Sequence, residues 1–278
     1  MTKYTIDYGR DGVSLSAYRL SDSVVGRPKV LALHGFMGSG EDFRELAQKD
    51  QEYDWYAMDF LGHVPKGVKQ YTLDRYLEHV DTVLDALDIE KCTLLGYSMG
   101  GRIALHYVLS RPERVEELIL VGASPGIEEK TQREERRGLE MKWVQLIREL
   151  GVKGFIDYWQ GLPIIVSQQN IEKGIREGMQ ERRLRNTEAG LVNHLLGLGT
   201  GVLPSLWGRL GQVRCQVRVV TGEKDVRFVE IGRRMVGLLS DGEHVVVPGA
   251  GHAAHLEGVG AFLDCMVRRP VGYKNLRA

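Results

Sequence analysis

The stretch Leu94-Leu95-Gly96-Tyr97-Ser98-Met99-Gly100-Gly101-Arg102 decides the reading of this chain. It fits G-x-S-x-G, a turn that lifts a serine hydroxyl out between a strand and a helix. The flanks supply that setting. Cys92-Thr93-Leu94-Leu95 is a short apolar, β-prone run, and Arg102-Ile103-Ala104-Leu105-His106-Tyr107-Val108-Leu109 reads as a helix. The serine backbone in such a turn is strained. A Cβ on its neighbours would hold strand and helix apart, so glycine suits those positions.

Upstream, Lys29-Val30-Leu31-Ala32-Leu33 is a nearly continuous apolar run, as in a strand buried on both faces. It ends in the glycine-rich loop His34-Gly35-Phe36-Met37-Gly38-Ser39-Gly40. Val13 to Leu20 alternates as a half-exposed strand would. Glu41 to Gln48 looks helical, and Trp55 to Asp59 is a further strand ending at Leu61-Gly62-His63. Leu73, Tyr76, Leu77, Val80, Val83, Leu84 and Leu87 keep the three-and-four spacing of one buried helical stripe. Glu117 to Val121 is another buried strand. Strands alternating with helices imply a mostly parallel central sheet flanked by helices, an α/β fold.

The alternation stops near Gly122. From Gly126 to about Trp207 the chain is helical and strongly charged, with Leu139, Trp143, Ile147 and Leu150 on one amphipathic face and a break at Trp159, Leu162, Pro163 and Ile164. Strand-like sequence resumes at Val217 to Val220 and again at His244 to Val247, before a last helix near Ala253. These observations divide the chain into a sheet core, residues 1–124 and 208–278, and an inserted helical cap, residues 125–207. The insert lies on the side where strand ends carry chemistry, so it is expected to roof a site.

The bulk composition narrows the function. The 278 residues are 43% hydrophobic and 27% charged, with a formal net charge of +0. No global field favours nucleic acid or an anionic membrane. No apolar stretch is long enough to span a bilayer, and the N-terminus has no charged-then-apolar leader pattern, so a cytoplasmic protein without membrane insertion is expected. Cys92, Cys215 and Cys265 read as small core residues in a reducing compartment. The histidines and cysteines lack metal-ligand spacing. The glycine runs at 38–40 and 197–201 lack both the lysine of a phosphate-cradling loop and a dinucleotide fingerprint, so no metal and no cofactor are expected.

A serine hydroxyl is a poor base or nucleophile at neutral pH. It needs an imidazole, and the imidazole needs an acid that fixes its tautomer. Both follow Ser98 in the order serine, acid, histidine. Thr221-Gly222-Glu223-Lys224-Asp225 and Pro248-Gly249-Ala250-Gly251-His252 each follow a strand, which places Asp225 and His252 on strand-end loops. Asp225 is preferred to Glu223 because it lies where the loop should turn back toward the site. His252 is preferred to His255, which falls about one helical turn later and reads as a packed histidine. His63 reads as a loop-ordering residue, and His79, His106, His194 and His244 lack catalytic spacing. Negative charge developing on oxygen needs fixed donors. The backbone N–H groups of Met99, after the serine, and of Phe36, in the loop after an early strand, are the candidates.

Taken together, His34-Gly35, Gly96-Tyr97-Ser98-Met99-Gly100-Gly101, Asp225 and Gly251-His252 resemble the α/β-hydrolase superfamily. The arginine after the elbow narrows this. Gly-Tyr-Ser-Met-Gly-Gly-Arg, ending at Arg102, is similar to the 2-succinyl-6-hydroxy-2,4-cyclohexadiene-1-carboxylate synthase family of menaquinone biosynthesis. Similar too are Leu33 to Ser39, Phe155 to Trp159 with Leu162-Pro163, Gly199-Thr200-Gly201 with Pro204 to Trp207, and Gly222 to Asp225 with Phe228. The resemblance covers nearly the whole chain. It implies a lyase that eliminates pyruvate from 2-succinyl-5-enolpyruvoyl-6-hydroxy-3-cyclohexene-1-carboxylate, a small anionic polycarboxylate. It also implies substrate-binding roles for Arg102, Arg136 and Arg185, with Tyr97 and Trp159 lining the pocket. Arg133 is the substitute for Arg136 if the register differs. A serine hydrolase acting on an ester or carbon–carbon bond would use the same three residues and is the alternative. The chain departs from the family at Leu196, where relatives commonly carry arginine, at Leu203, where glutamine is usual, and at Leu61-Gly62-His63-Val64-Pro65, where Gly-His-Gly is usual.

Overall fold

In a computed structural model, which describes residues 1–9, 13–60 and 71–267, one sheet runs through the molecule. Its strands are β1 (Thr2–Asp7), β2 (Ser14–Arg19), β3 (Lys29–Leu33), β4 (Asp54–Met58), β5 (Cys92–Tyr97), β6 (Val115–Val121), β7 (Gln216–Gly222) and β8 (Gly242–Val247). They lie in the order β1-β2-β4-β3-β5-β6-β7-β8. β2 is antiparallel to both its neighbours, and the remaining pairs are parallel. The strand expected at Val13 to Leu20 is β2, and the turn expected to end at His63 lies outside the described residues.

The central strands are mostly apolar because helices cover both faces. Leu31 and Leu33 of β3 and Leu94 of β5 join the core on one face; Val30, Ala32 and Leu95 join the core on the other. The helices that cover the sheet before the cap are α1 (Arg44–Lys49), α2 (Leu73–Ala86) and α3 (Met99–Ser110). The stripe read at Leu73 to Leu87 is the face that α2 buries, with Tyr76, Leu77, Val80, Val83 and Leu84 inside. Ser98 follows β5, which sits near the centre of the order, where crossover connections diverge.

After β6 the chain leaves the sheet and forms α4 (Lys130–Gln160), α5 (Lys173–Arg183) and α6 (Glu188–Leu198) before returning at β7. These helices have an apolar cluster of their own, including Trp143, Val144, Ile147, Phe155, Ile156, Leu191 and Leu195, and it closes over Met37. The buried stripe of α4 differs from the one expected. Trp143 and Ile147 are inside, but Leu139 and Leu150 are 40% and 50% exposed. Two causes act. Gly151 takes φ 65° and kinks α4 beside Leu150, so the helical phase does not carry through. One turn before Trp143, buried Glu140 occupies the inner position, and Leu139 faces the open cavity. The chain ends its described part with α7 (Val226–Val236), α8 (Ala254–Glu257) and α9 (Val259–Val267).

Candidate active site

Ser98 sits between β5 and α3 at φ 51°, ψ −108°, the strained conformation the sequence reading requires. Its N–H donates to the Val121 carbonyl at 2.8 Å, which pegs the turn to β6. Close approach explains the two following glycines. A Cβ on Gly100 would lie 2.2 Å from the Leu33 carbonyl oxygen, and one on Gly101 would lie 2.4 Å from the Ala123 Cβ.

The three dispersed residues meet. His252 Nε2 lies 3.1 Å from Ser98 Oγ, and His252 Nδ1 lies 2.7 Å from Asp225 Oδ2. A carboxylate only accepts, so Nδ1 carries the proton and donates, leaving Nε2 free to accept from the serine. His252 is buried and has the Phe228 ring edge-on at 4.7 Å. Asp225 stands at the turn from β7 into α7, with its N–H donating to the Gly222 carbonyl. The rivals do other work. Glu223 accepts from the Gly249 N–H at 2.8 Å and so shapes the loop that carries His252. His255 is fully buried among Phe43, Tyr97 and Phe262.

Met99 opens α3, so its N–H is one of the first-turn donors that no intrahelical carbonyl can reach. Phe36 and Met99 line the same cavity as Ser98. The Phe36 loop is held from below. His34 Nδ1 donates to the Gly35 carbonyl at 2.7 Å and its Nε2 accepts from the Phe60 N–H at 3.0 Å. Asp59 accepts from Ser39 Oγ and from the Gly40 N–H, both at 2.8 Å.

The cavity over Ser98 has a volume of about 390 Å³ and is roofed by α4, α5 and α6. Its wall includes Arg102, Arg136, Tyr97 and Trp159. Trp159 packs edge-on against Phe36 at 5.3 Å and Trp143 at 5.0 Å. Tyr97 accepts from Gln168 Nε2 at 3.3 Å, and burial pushes its phenol pKa upward, so it stays neutral. Burial, then the charge of Arg136, pushes Arg102 down to about 10, which still leaves it charged at neutral pH. Arg136 pairs with Glu140 at 2.8 Å and lies over the Trp143 ring at 4.9 Å.

Arg185 is a correction. It is not in the cavity wall: its side chain is 60% exposed and pairs with Glu41 at 2.8 Å. Arg183 stands in the wall instead, with Nη2 donating to Gln168 at 2.6 Å. The cause is helical phase. Ile175, Met179 and Arg183 follow one another at four-residue steps on α5 and share its inner face, whereas Arg185 lies beyond the helix end. That spacing was a readable signal. Burial lowers the Arg183 pKa from its ordinary value, and the Asp42 carboxylate offsets only part of that fall. Glu140, Gln168, His194 and Thr200 also line the cavity and were not singled out for it. Glu140 had a signal, the four-residue step from Arg136. Leu196 is 43% exposed and outside the cavity wall. Among the described residues, no group of three or more histidine, cysteine, aspartate or glutamate side chains could hold a metal, and no helix is long and apolar enough to cross a membrane.

His255 supplies a prediction about pH. Burial, then the neighbouring His252, pushes it down to about 3, so it folds neutral; Tyr97 is the other ionisable group against its ring. The unfolded histidine binds a proton near pH 6.5. The unfolded state therefore binds more protons between these values, and stability that is full above about pH 6.5 is lost as pH falls toward 3. Melting temperatures measured from pH 7 to pH 4 should fall in the parent and fall less steeply in His255→Phe. An unchanged acid slope would remove His255 from this effect.

Comparison with known proteins agrees with the geometry. The family described as alpha/beta hydrolase fold matches residues 28–259. A putative 2-succinyl-6-hydroxy-2,4-cyclohexadiene-1-carboxylate synthase from Bacillus subtilis (strain 168) is 35% identical over 232 residues, covering 82% of this chain and 85% of the relative. The synthase of that name from Serratia proteamaculans (strain 568) is 28% identical, over 87% of this chain and 93% of the relative. The solved structure of MenH from S. aureus superposes with a TM-score of 0.83 at 27% identity, over 90% of this chain and 96% of that one. The chain thus belongs to the α/β-hydrolase fold family and, within it, to the 2-succinyl-6-hydroxy-2,4-cyclohexadiene-1-carboxylate synthases.

Proposed function

We propose that this protein is a carbon–oxygen lyase that eliminates pyruvate from 2-succinyl-5-enolpyruvoyl-6-hydroxy-3-cyclohexene-1-carboxylate, leaving 2-succinyl-6-hydroxy-2,4-cyclohexadiene-1-carboxylate. The observation that carries the reading is a serine hydrogen-bonded to a carboxylate-oriented histidine and facing a cavity whose wall holds several guanidiniums. An esterase for neutral acyl chains gains nothing from such a wall. A polycarboxylate does, because each guanidinium fork can grip a carboxylate through two N–H groups in a partly dry site.

His252, oriented by Asp225, takes the Ser98 proton. The Ser98 oxygen then removes the ring proton next to the succinyl carbonyl. The electron pair moves through the ring double bond to form the conjugated diene, and the bond from ring carbon to the enolpyruvoyl oxygen breaks. The leaving enolate collects the proton from His252 and tautomerises to pyruvate, while Ser98 retains the ring proton until it is exchanged with solvent. Charge that builds on the succinyl carbonyl oxygen is held by the N–H groups of Phe36 and Met99. Arg102, Arg136 and Arg183 hold the carboxylates, and Tyr97 and Trp159 shape the walls. Residues 125–207 act as the cap over a core of 1–124 and 208–278, excluding water from the elimination.

Supplying the 5-enolpyruvoyl intermediate and monitoring pyruvate tests the reading. Pyruvate release from the intermediate supports it. Release of nitrophenol from a p-nitrophenyl ester with none of pyruvate from the intermediate would favour a hydrolase. The arginine assignment makes a sharper prediction. Losing one charged hydrogen-bonding group costs about 1.5–3 kcal/mol, so Arg183→Met should lower kcat/KM about ten- to a hundredfold. Arg185→Met, which removes an exposed ion pair, should stay within about twofold. The reverse pattern would return the role to Arg185.

A further inference from the structure

We propose that Glu140 and Thr200 are positioning residues that bracket Arg102 and Arg136, fixing the edge each guanidinium presents to the substrate carboxylates. The inference rests on the polycarboxylate reading above.

Glu140 is 2% exposed. A carboxylate so deeply buried needs its lone pairs satisfied. Oε1 accepts from Arg136 Nε and from the Thr200 N–H, both at 2.8 Å; Oε2 accepts from the Gly201 N–H at 3.1 Å. The carboxylate thereby draws the loop after α6 down onto α4. Gly199 permits that approach, since a Cβ there would lie 2.3 Å from Glu140 Oε2. Thr200, now fixed by its backbone, accepts from Arg102 Nη1 through its hydroxyl. One chain of bonds therefore runs from Arg102 on core helix α3, through Thr200 and Glu140, to Arg136 on cap helix α4.

The bonds used matter. A guanidinium is planar with five N–H donors in a fixed fork. Arg136 gives its Nε to Glu140 and its face to Trp143, so its plane is set and its terminal nitrogens stay available. Arg102 gives one Nη to Thr200 and keeps the rest. Two guanidiniums side by side in a partly dry wall repel each other. Glu140 offsets one of the charges, which lets the pair stand together before any anion arrives. Neither Glu140 nor Thr200 needs to touch the substrate. They remove the cost of ordering two long side chains at the moment of binding.

The test uses the full chain carrying Ser98→Ala, so that the 5-enolpyruvoyl intermediate binds without reacting, with affinity read by calorimetry. Thr200→Val keeps the branched shape and leaves the backbone N–H on Glu140, and it exchanges the hydroxyl for a methyl that cannot accept from Arg102. It should weaken binding about five- to twentyfold, and Thr200→Ser should restore affinity to within about twofold of the parent. With Ser98 present, Thr200→Val should raise KM while kcat stays within about twofold. Glu140→Gln should weaken binding as well; if it fails to fold, the threonine pair still decides. Unchanged affinity in Thr200→Val, or failure of serine to restore it, would overturn the bracket while leaving the function standing. A parent that neither binds the intermediate nor, with Ser98 restored, releases pyruvate from it would overturn the functional reading and the bracket with it.

Discussion

Replacing Ser98 with alanine is expected to lower turnover by about four powers of ten or more while the fold stays intact. The oxygen that is lost lies 3.1 Å from the His252 ring, and in the proposed scheme it is the base that touches the ring proton. The donors at Phe36 and Met99 and the arginine wall remain, so a residue of rate acceleration survives. The fold should not suffer, because serine and alanine share a Cβ and therefore the same strain at φ 51°. Pyruvate release measured beside a thermal melt checks both halves. Turnover within about tenfold of the parent would remove Ser98 from the chemistry.

Asp225→Asn should cost about three to four powers of ten with little change in substrate affinity. The carboxylate accepts from His252 Nδ1 at 2.7 Å, which leaves Nε2 unprotonated and facing the serine. An amide can turn its NH₂ toward Nδ1. The ring would then carry its proton on Nε2, pointing at Ser98, and could no longer accept one. Geometry would be nearly unchanged and the tautomer wrong. Steady-state kinetics should show kcat falling with KM within about threefold. A large rise in KM with kcat preserved would mean that Asp225 serves binding instead.

Much of this was legible because it is local or ordered along the chain. The turn at Ser98 requires Gly96, Gly100 and Gly101 within a few residues, since strand and helix approach too closely for side chains. The sheet showed itself in runs such as Lys29 to Leu33, buried on both faces. Asp225 and His252 were readable because each follows a strand, and parallel strands deliver their C-terminal ends to one side. The cap was harder. Its helices bury their faces against one another, against the Phe36 loop and against an open cavity, so an apolar stripe does not report a single core. Leu139 faces the cavity, and Leu150 sits at the Gly151 kink. Arg182 and Arg183 differ in where they point by helical phase, and Arg185 lies past the end of α5. Arg182 pairs with Asp42, Arg183 faces inward and Arg185 reaches Glu41. Glu140 read as one more charge on a charged helix. Its partners at Thr200 and Gly201 are 60 and 61 residues away and meet it only in the folded chain.

In the proposed elimination Ser98 acts as a base and is never acylated. The most direct measurement is the intact mass of the enzyme, quenched during turnover of the 5-enolpyruvoyl intermediate, with pyruvate assayed in the same samples. Pyruvate should accumulate while the protein mass stays that of the unmodified chain. A covalent adduct on Ser98 that forms and decays at the rate of product release would contradict it.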